Sequence, residues 1–442
     1  MTQGWAEKAG VALAYFSACR RDRLRTREQI HAHQARRWRV LSRWLTAHAP
    51  FYAAYAGQPL EHWPVMDKAQ WMQHFDTINT ADIALKDAYR VAERAERSRD
   101  FQPTLRGISV GLSTGTSGAR GVFLASASER RRWAGTMLAK LLPGGLMGRE
   151  RIALLLRAGS NLYDTIQGAR LTFRYFDLVQ PLDQLVDELD AYAPTILVGP
   201  AQALALLARF RDQGRTQLAP NRVISAAEVL DPPDQACMER IWGVAVEQIY
   251  QATEGFLGRT CAHGVLHLNE DGLIIERAWI DRAQRRFVPI VTDLYRRTQP
   301  VIRYRLNDVL VQREASCPCG SAHMALDRID GREDDIVWLS SQAANVSVPV
   351  FADALARALL TADPAIADYQ IDQVAADTLR IAIEPTPDAS RRQALRDAMH
   401  ELCRRLSAAM PELAFVDMPP HSLTEKRRRV RGLRTFKETD HA

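Results

Sequence analysis

The residues best suited to chemistry in this sequence begin with a short segment rich in serine, threonine and glycine. Small residues let backbone N–H groups turn toward phosphate oxygens, and the hydroxyl groups add further hydrogen bonds. The segment lacks the Gly-Lys-Ser/Thr ending of a P-loop and the Gly-x-Gly-x-x-Gly spacing of a dinucleotide fold. It predicts a phosphate-binding loop of another kind, with a plain surface loop as the alternative; its central residues are Ser113, Thr114, Gly115, Thr116, Ser117 and Gly118.

Two acidic residues follow predicted strands further along the chain. Glu254 ends the segment 249–254, and open α/β sheets bind ligands at the carboxyl edge of their strands. A carboxylate at that edge can hold Mg²⁺ against phosphate groups. Asp308 follows the strand-like segment 301–306 and is suited to accept hydrogen bonds from both hydroxyl groups of a ribose. Taken singly, either acid is more often a solvated loop residue.

Six segments occur in an order that resembles the acyl-adenylate-forming superfamily, and in particular its phenylacetate–CoA ligase-like branch. Any one of them is a weak signal, whereas six in the correct order are a strong one. Similarity in the segment 49–68 extends the resemblance over almost the whole chain. The six are the phosphate loop Ser113–Gly121, the adenine-side loop Ser225–Glu228, the aromatic-x-x-Thr-Glu segment Tyr250–Glu254, the ribose segment Arg303-Tyr304 with Asp308, the hinge Asp330–Asp335, and Lys426.

The resemblance implies that ATP and Mg²⁺ convert a carboxylic acid to an acyl-adenylate, which then passes to a thiol of coenzyme A or of a carrier protein. Glu254 would hold Mg²⁺, and Lys426 would bridge the carboxylate and the α-phosphate; Thr116 and Arg120 would complete the catalytic set. An amine or another small nucleophile is the alternative acceptor. The nucleotide contacts implied are Ser113, Thr114, Gly115, Thr116, Ser117, Gly118, Ala226, Ala227, Glu228, Tyr250, Gln251, Thr253, Asp308 and Arg332.

The resemblance also implies a hinge and a pocket for the acid. The hinge residue would be Asp334, about which a small domain carries Lys426 in for adenylation and out for transfer. The pocket would involve Arg157, Tyr163, Gly199 and Ala226, which leaves room for an aryl or other hydrophobic acid.

Two segments depart from the family pattern. Ala119 and Arg120 stand where Lys-Pro is usual, so either Arg120 takes over the phosphate contact or that contact is missing. Glu425 stands where a glycine usually precedes the catalytic lysine. A degenerate nucleotide-binding or nucleic-acid-binding protein is therefore a further alternative. However, only six of the 58 lysine and arginine residues are lysines, so a lysine at position 426 favours a working site.

Four residues form a candidate metal site that is separate from these motifs. They are Cys261, His267, Cys317 and Cys319, with His263 and His323 as spare ligands. Tetrahedral Zn²⁺ suits three thiolates and an imidazole, although Cys-x-Cys is tighter than the common Cys-x₂-Cys. The resemblance implies the same, because some phenylacetate–CoA ligase-like proteins carry a structural zinc at matching positions. Plain reduced cysteines are the alternative.

The elements that position these residues follow from hydrophobic periodicity. Short apolar runs at 152–156, 195–198, 222–225 and 244–250 alternate with helical patterns, which predicts an α/β fold with a mostly parallel, helix-covered sheet. The first hundred residues are predicted to be helices with a break near 59–64. After residue 332 a helix, two strands and a helix predict a small α+β domain. We therefore expect a large adenylating domain at 1–332 and a mobile lid domain at 333–442.

Composition limits the class of protein. No run approaches the ~20 apolar residues of a membrane span, and the short apolar run 11–18 precedes its basic cluster, which is the wrong order for a signal peptide. A cytoplasmic protein, monomeric or homodimeric, is therefore expected. The net charge of +6 favours anionic partners, but a nucleotide satisfies this as well as nucleic acid does. The basic run 426–431 has no interleaved aromatic platform, so nucleic acid is disfavoured.

Overall fold

The computed structural model describes residues 2–98, 103–112, 121–142, 145, 148–156, 170–342, 347–419 and 428–433. The chain divides into two compact units. The first consists of Met1–Leu306 and Gln312–Arg328, and the second of Asn307–Val311 and Ile329–Ala442.

The first unit contains most of the helices, several with caps that the sequence encodes. Ser126 and Glu129 form a reciprocal capping box at one helix start, and Asp67 and Gln70 form another. The described helices of this unit are α1 Thr2–Arg21, α2 Arg27–His48, α3 Lys68–Gln73, α4 Phe75–Ile78, α5 Leu85–Ser98, α6 Ala127–Leu141, α7 Leu182–Tyr192, α8 Ala201–Asp212 and α9 Pro232–Trp242. Short 3₁₀ turns at Pro50–Tyr55 and Leu60–His62 follow α2, and the second lies in the break predicted near 59–64.

The strands of the first unit belong to two sheets. They are β1 Thr104–Leu105, β2 Ile108–Leu112, β3 Val122–Ala125, β4 Glu150–Leu156, β5 Leu171–Asp177, β6 Ile196–Gly199, β7 Arg222–Ala226, β8 Val246–Ala252, β9 Gly255–Thr260, β10 Leu266–Leu268, β11 Leu273–Asp281, β12 Arg286–Asp293 and β13 Tyr304–Arg305. Strands β1 to β3 form a small antiparallel sheet, and β11 pairs antiparallel with β12, which pairs with β13.

The main sheet includes seven strands in the order β5-β4-β6-β7-β8-β9-β10 and continues beyond β10. Its first five strands are parallel and the pairs beyond β8 are antiparallel. Parallel strands covered on both faces are buried runs, and Ala153, Leu197 and Val223 accordingly have no more than trace exposure. Because β4, β6, β7 and β8 run in one direction, their carboxyl ends meet at one edge of the sheet.

Strands β14 Asp308–Gln312 and β15 Ala325–Arg332 are divided between the units. The remaining described elements of the second unit are β16 Val337–Ser340, β17 Ser347–Val350, α10 Ala352–Ala362, β18 Asp368–Ala375, β19 Thr378–Glu384, α11 Ala389–Leu406, β20 Glu412–Val416 and β21 Val430–Arg431. A four-stranded sheet of order β20-β19-β18-β21 packs α10 and α11 around a core that includes Leu355, Ile381, Leu395 and Met399.

These elements confirm the predicted α/β class and the strands and helices predicted for 152–250 and 350–406, with ends that shift by a few residues. Strand β8, for example, reaches Ala252 and not Tyr250. Among the described residues, no helix is both long enough and apolar enough to cross a membrane.

Candidate active site

The carboxyl edge of the parallel strands borders a cavity of about 430 Å³ inside the first unit. Its wall includes four residues that the sequence predicts for nucleotide or acid binding, namely Ala226, Ala227, Gln251 and Thr253. The Gln251 Oε1 atom is buried and has no hydrogen-bond partner among the described residues. A buried acceptor without a donor costs free energy, so this atom favours a ligand or water that donates a hydrogen bond.

Strand β7 leads into the cavity through a strained residue. Ala227 has a left-handed backbone with φ of 68°, which an alanine adopts only where the surroundings enforce it. The next residue, Glu228, turns elsewhere: its Oε2 accepts a hydrogen bond of 3.2 Å from the backbone N–H of Gln202 at the start of α8. A carboxylate at a helix amino end is a stabilising arrangement. Of the described residues, Ala226 and Ala227 line the cavity, whereas Glu228 and Tyr250 are not part of its wall.

Glu254 occupies the turn that joins β8 to β9, where Ala252 pairs with Gly255. The Tyr304 hydroxyl lies within hydrogen-bonding reach of the Glu254 carboxylate. Burial, reinforced by the negative charge of Glu254, raises the pKa of Tyr304, so its hydroxyl stays protonated and acts as a donor. The Tyr304 ring meets Trp71 edge-on, with 5.5 Å between the ring centroids. The metal-binding candidate of the sequence is thus held by a fixed hydrogen-bond donor.

The same turn is also held from its backbone. Arg296 Nη1 donates a hydrogen bond of 2.7 Å to the carbonyl of Thr253. Asp293 in turn accepts hydrogen bonds from the backbone N–H groups of Tyr295, at 2.8 Å, and of Arg296, at 3.2 Å. Burial raises the pKa of the Asp293 carboxyl group despite these donors.

Arg303 has a structural role that its place in the ribose motif does not suggest. Its guanidinium forms two hydrogen bonds to Glu276, at 2.6 and 2.9 Å, and donates to the carbonyls of Glu61 and Trp63, at 2.7 and 2.8 Å. Its backbone is left-handed with φ of 44°. These bonds fix the residue that precedes Tyr304, and so fix the direction in which the tyrosine ring enters the site.

The phosphate-loop residues Ser113, Thr114, Gly115, Thr116, Ser117, Gly118 and Arg120 lie outside the described residues. Their flanks are described: Leu112 and Val122 are opposite each other in the β2–β3 hairpin. Gln299 fixes this hairpin, because its Nε2 donates to the Val122 carbonyl at 3.1 Å and its Oε1 accepts from the Leu124 N–H at 2.7 Å. Arg157 and Tyr163 of the predicted acid pocket also lie outside the described residues.

Gly199, the other predicted pocket residue, packs closely against β4. A Cβ on this glycine would lie 2.8 Å from the Leu155 Cβ, closer than real Cβ atoms approach. Gly199 is absent from the described cavity wall. The structure explains this glycine by the close approach of β6 and β4.

The predicted ribose and hinge residues lie in the second unit. Asp308 and Arg332 form an ion pair of 3.8 Å. The 3₁₀ turn Glu333–Asp335 follows, and Asp335 accepts hydrogen bonds from the Arg332 N–H, at 2.9 Å, and from Arg428 Nε, at 2.8 Å. Burial raises the pKa of Asp335 even though Arg428 opposes the shift.

The hinge candidate Asp334 is hydrogen-bonded to the segment 428–432 of the same unit. Its carbonyl accepts hydrogen bonds from the Gly432 N–H, at 3.1 Å, and from Arg428 Nη2, at 3.2 Å. A Cβ on Gly432 would collide with the carbonyl of Ile336, so glycine is required there. Lys426 and Glu425 lie outside the described residues, two and three positions before Arg428.

The four candidate zinc ligands come together in the first unit, as the sequence predicts. Their donor atoms all lie within 4.8 Å of one another. The Sγ atoms of Cys261 and Cys317 are 3.6 Å apart, and Cys319 Sγ is 3.4 Å from His267 Nε2. All six cysteines of the chain are free thiols.

Two similar turns present the thiols of this cluster. The first contains Cys261 and Gly264, whose φ is +74°, and the second contains Cys317 and Gly320, whose φ is +70°. In both turns the glycine N–H donates to the cysteine carbonyl, at 2.9 and 3.1 Å. Left-handed glycines permit such tight reversals, which bring thiols from separate segments to one point.

His267 is oriented for coordination by a second contact. Its Nδ1 lies 3.2 Å from the carbonyl of His323. This arrangement places the ring proton on Nδ1 and leaves the lone pair of Nε2 available to coordinate a metal ion. His263 contributes through its backbone, since its N–H donates to Cys261 Sγ at 3.4 Å. The donor set and its orientation fit Zn²⁺.

A cationic cluster around Tyr295 is absent from the sequence prediction. The guanidinium carbons of Arg132, Arg37 and Arg21 lie 3.9, 4.3 and 5.0 Å from the centroid of this ring. His33 Nε2 is 3.2 Å from the Tyr295 hydroxyl. Four separate segments of the chain supply these side chains, so no local motif indicates the cluster.

No family model matches the chain, and no curated protein matches its sequence. Solved structures share its fold, among them 2-hydroxyisobutyryl-CoA ligase in the postadenylation state in complex with 2-HIB-AMP. This structure has a TM-score of 0.70 and 18% identity, and the match covers 94% of this chain and 92% of that chain. The anthranilate CoA ligase AuaEII in complex with anthranoyl-AMP gives 0.54 and 14%, covering 73% and 66%.

The amide bond synthetase McbA from Marinactinospora thermotolerans is a further similar structure, with a TM-score of 0.51 and 16% identity over 73% of this chain and 68% of that chain. At such identities the likeness shows the fold. The chain shares the fold of these ligases, which confirms the predicted resemblance at the level of the fold.

Proposed function

We propose that this protein activates a carboxylic acid with ATP to form an acyl-adenylate and then transfers the acyl group to a thiol. The observation that carries the proposal is the position of Glu254. Its carboxylate lies at the carboxyl edge of the main sheet and is oriented by Tyr304, and the adjacent Thr253 lines a largely apolar cavity. The segment 113–120 between β2 and β3, which the sequence predicts to bind phosphate, and the fold shared with two CoA ligases support the same function.

The proposed reaction has two steps. An oxygen of the substrate carboxylate attacks the α-phosphorus of ATP, the bond from that phosphorus to the bridging oxygen breaks, and pyrophosphate leaves. The thiolate of the acceptor then attacks the acyl carbon, and AMP leaves with the oxygen that came from the carboxylate. Both steps bring anions together, so positioning and cationic stabilisation supply most of the rate enhancement.

Each proposed residue addresses that charge. Mg²⁺, when bound by Glu254, supplies positive charge at the phosphates. Thr116, Arg120 and the N–H groups of the loop 113–118 would contact phosphate oxygens. The residues that border the nucleotide and the acid would be Ala226, Ala227, Gln251 and Thr253. Glu228 and Tyr250, which are not part of the described cavity wall, would support them. Asp308, paired with Arg332, would accept hydrogen bonds from the ribose hydroxyl groups.

Lys426 would provide the charge that changes between the two steps. We infer that it bridges the carboxylate and the α-phosphate during adenylation, and that rotation about Asp334 removes it for transfer. The bonds from Arg428 and Gly432 to the Asp334 carbonyl support this, because they couple the segment after Lys426 to the hinge. A shift of the hinge backbone would therefore be passed to that segment.

We propose an aryl or other hydrophobic acid as substrate and coenzyme A or a carrier protein as acceptor. The apolar cavity supports the acid, and the 2-hydroxyisobutyryl-CoA ligase structure with 2-HIB-AMP and CoA supports the thiol. The similarity to the amide bond synthetase McbA favours an amine as the second candidate acceptor.

We further propose a structural zinc on Cys261, His267, Cys317 and Cys319. All four donors belong to the protein and face one another, so a tetrahedral ion would have no open position for substrate. The cluster would then stabilise the fold of the first unit and take no part in the reaction.

The experiment that tests the proposed function measures pyrophosphate release from ATP with a panel of aryl, alkyl and hydroxy acids, with and without coenzyme A. Acid-dependent release that accelerates with coenzyme A is the expected result. Release that accelerates with an amine and not with a thiol would select the second acceptor. Absence of acid-dependent release with every acid would favour the degenerate alternative.

A further inference from the structure

The described wall of the cavity is mostly apolar and belongs to elements that are far apart in the sequence. Aliphatic and aromatic side chains from α6 and from strands β4 to β9 form it. They are Trp133, Met137, Leu141, Ile152, Leu154, Phe173, Ile196, Val198, Ile224 and Phe256. Such a wall gains free energy by removing an apolar ligand body from water, at roughly 25 cal/mol per Å² of area buried. It gives no hydrogen bond to a charged group.

Five described cations also reach this wall, and four of them have partners. Arg21 and Lys140 are bound to the buried Asp271, at 3.2 and 2.8 Å. Arg296 donates to the Thr253 carbonyl, and Arg130 donates to the Ser109 hydroxyl. Burial alone would raise the pKa of Asp271, but Lys140 and Arg21 lower it to about 2; Lys140 also pairs with Asp22, at 3.3 Å, so both cations have carboxylate partners.

Arg132 is the exception among these five. Its Nη1 is buried and has no hydrogen-bond partner among the described residues, and no described carboxylate forms an ion pair with it. Its guanidinium lies over the Tyr295 ring, with Arg37 also on that ring. The nearby charge of Asp293 attracts it, but no hydrogen bond joins the two side chains, and Asp293 Oδ1 accepts from the backbone N–H groups of Tyr295 and Arg296.

The surroundings penalise the charge of Arg132. Burial lowers the pKa of this guanidinium, and the nearby charges of Arg21 and Arg37 add to the effect. An arginine stays protonated even so, because its ordinary pKa exceeds 12. A buried cation without a hydrogen-bonded anion is destabilising, and such cations are normally paired. No carboxylate among the described residues is hydrogen-bonded to Arg132, and its guanidinium borders the cavity, so an anion that enters the cavity would supply such a partner.

We propose that Arg132 forms an ion pair with a carboxylate of the hydrophobic acid that fills this cavity. The inference rests on the proposed function and assigns it a specificity-determining residue. Two sources share this chemistry: the carboxylate that is activated, and a second carboxylate on a substrate with two. In either case Arg132 selects an acid anion over a neutral molecule of the same shape.

The test measures binding without ATP, followed by quenching of tryptophan fluorescence, since Trp133 lines the cavity, and by calorimetry. The probes are phenylacetate and naphthylacetate, their neutral amides, and homoterephthalate, which carries two carboxylates. The variants are Arg132→Gln and Arg132→Lys. Arg131→Gln is the matched control, because Arg131 immediately precedes Arg132 on α6 and is absent from the described wall. Cooperative thermal unfolding verifies that each variant is folded.

We expect Arg132→Gln to raise the Kd of the acids by at least ~30-fold, which corresponds to the lower end of the loss when one partner of a buried charge pair is removed. Arg132→Lys should retain part of the affinity, and Arg131→Gln should bind the acids as the wild type does. The Kd of the neutral amides should not change in any of these variants. Loss with phenylacetate and naphthylacetate identifies the activated carboxylate, whereas loss confined to homoterephthalate identifies a second one.

Equal weakening of acids and amides, no weakening of any acid, or no saturable binding of any acid to the wild type would overturn the proposal. The result is separable from the proposed function. If bound acids never release pyrophosphate from ATP, the adenylation proposal fails while the role of Arg132 stands. If release is acid-dependent but insensitive to Arg132→Gln, the opposite holds.

Discussion

Strand β9 begins beside Glu254 and ends beside Cys261, so a strand of six residues connects two polar sites roughly 20 Å apart. At the Cys261 end, four donors face one another and two glycine turns hold them. At the Glu254 end, a single carboxylate is held by Tyr304 next to an open cavity. At the closed end, formed by the cysteine cluster, four metal ligands that face one another would stabilise the fold. At the open end, formed by Glu254, a single oriented carboxylate would leave room for further ligands.

The largest effect should come from disrupting the cysteine cluster at the closed end of β9. Cys317→Ser should abolish stoichiometric zinc and lower the free energy of unfolding by at least ~3 kcal/mol, a fraction of the ~10–16 kcal/mol that zinc supplies in small zinc peptides. Metal analysis and denaturant unfolding of protein purified without chelator measure both. Cys237→Ser, on α9 outside the cluster, is the control. A metal-free wild type of full stability with titratable thiols would refute the zinc site.

The next largest effect concerns Lys426 and separates the two half-reactions. Lys426→Ala should slow acyl-adenylate formation by ~10²–10³-fold, because the contact is made chiefly in the transition state. Transfer from a supplied acyl-adenylate should remain largely intact. Lys426→Arg should rescue poorly, since a planar guanidinium does not replace a compact ammonium between two oxyanions.

Lys86→Ala, an exposed lysine of α5, is the matched control for that experiment. Equal losses in both half-reactions would indicate misfolding. Unchanged adenylation in Lys426→Ala would transfer the role to a neighbouring cation such as Arg120 or Arg428.

At the open end, Glu254→Gln should slow adenylation by about 10²-fold, equivalent to ~2–3 kcal/mol of transition-state stabilisation. The amide keeps the shape but removes the charge that is proposed to hold Mg²⁺, so the Mg²⁺ concentration for half-maximal rate should rise as well. Glu314→Gln is the control, because that side chain is 78% exposed. A near-normal rate with an unchanged Mg²⁺ requirement would remove Glu254 from the metal site.

The smallest effect tests what holds Glu254. Tyr304→Phe removes one hydroxyl group and keeps the ring against Trp71, so adenylation should slow by about 10-fold, as expected for a hydrogen bond to a charged group. The loss should disappear in the Glu254→Gln background, since the two residues act together. Tyr192→Phe, which loses hydroxyl contacts to Thr172 elsewhere in the sheet, is the control. Additive losses would separate Tyr304 from Glu254.

The two ends of β9 also differ in how far the sequence predicts them. The cysteine cluster is predictable because few residue types bind zinc, and Cys-x-His-Gly and Cys-x-Cys-Gly are short turns with their own geometry. Glu254 is predictable from its motif and its place after a strand. The α/β elements follow from apolar runs and helical periodicity.

The contacts that complete the open end depend on tertiary packing. Tyr304 reaches Glu254 from fifty positions along the chain, and Arg303 is recruited by Glu276 and by carbonyls near residue 62. Arg132 becomes unusual only when the burial of its guanidinium and the pairing of its neighbours are known. No spacing in the sequence encodes these relations, because each depends on which distant strands and loops lie side by side.

The most direct test of the central claim follows an oxygen atom from the acid to AMP. The protein is incubated with ATP, an acceptor and a substrate acid whose carboxylate is labelled with heavy oxygen, and the products are analysed by mass spectrometry. Adenylation predicts one labelled oxygen in each AMP, formed together with pyrophosphate and absent in Glu254→Gln at the same time point. Label in inorganic phosphate with ADP as the other product, or unlabelled AMP at full turnover, would contradict the account.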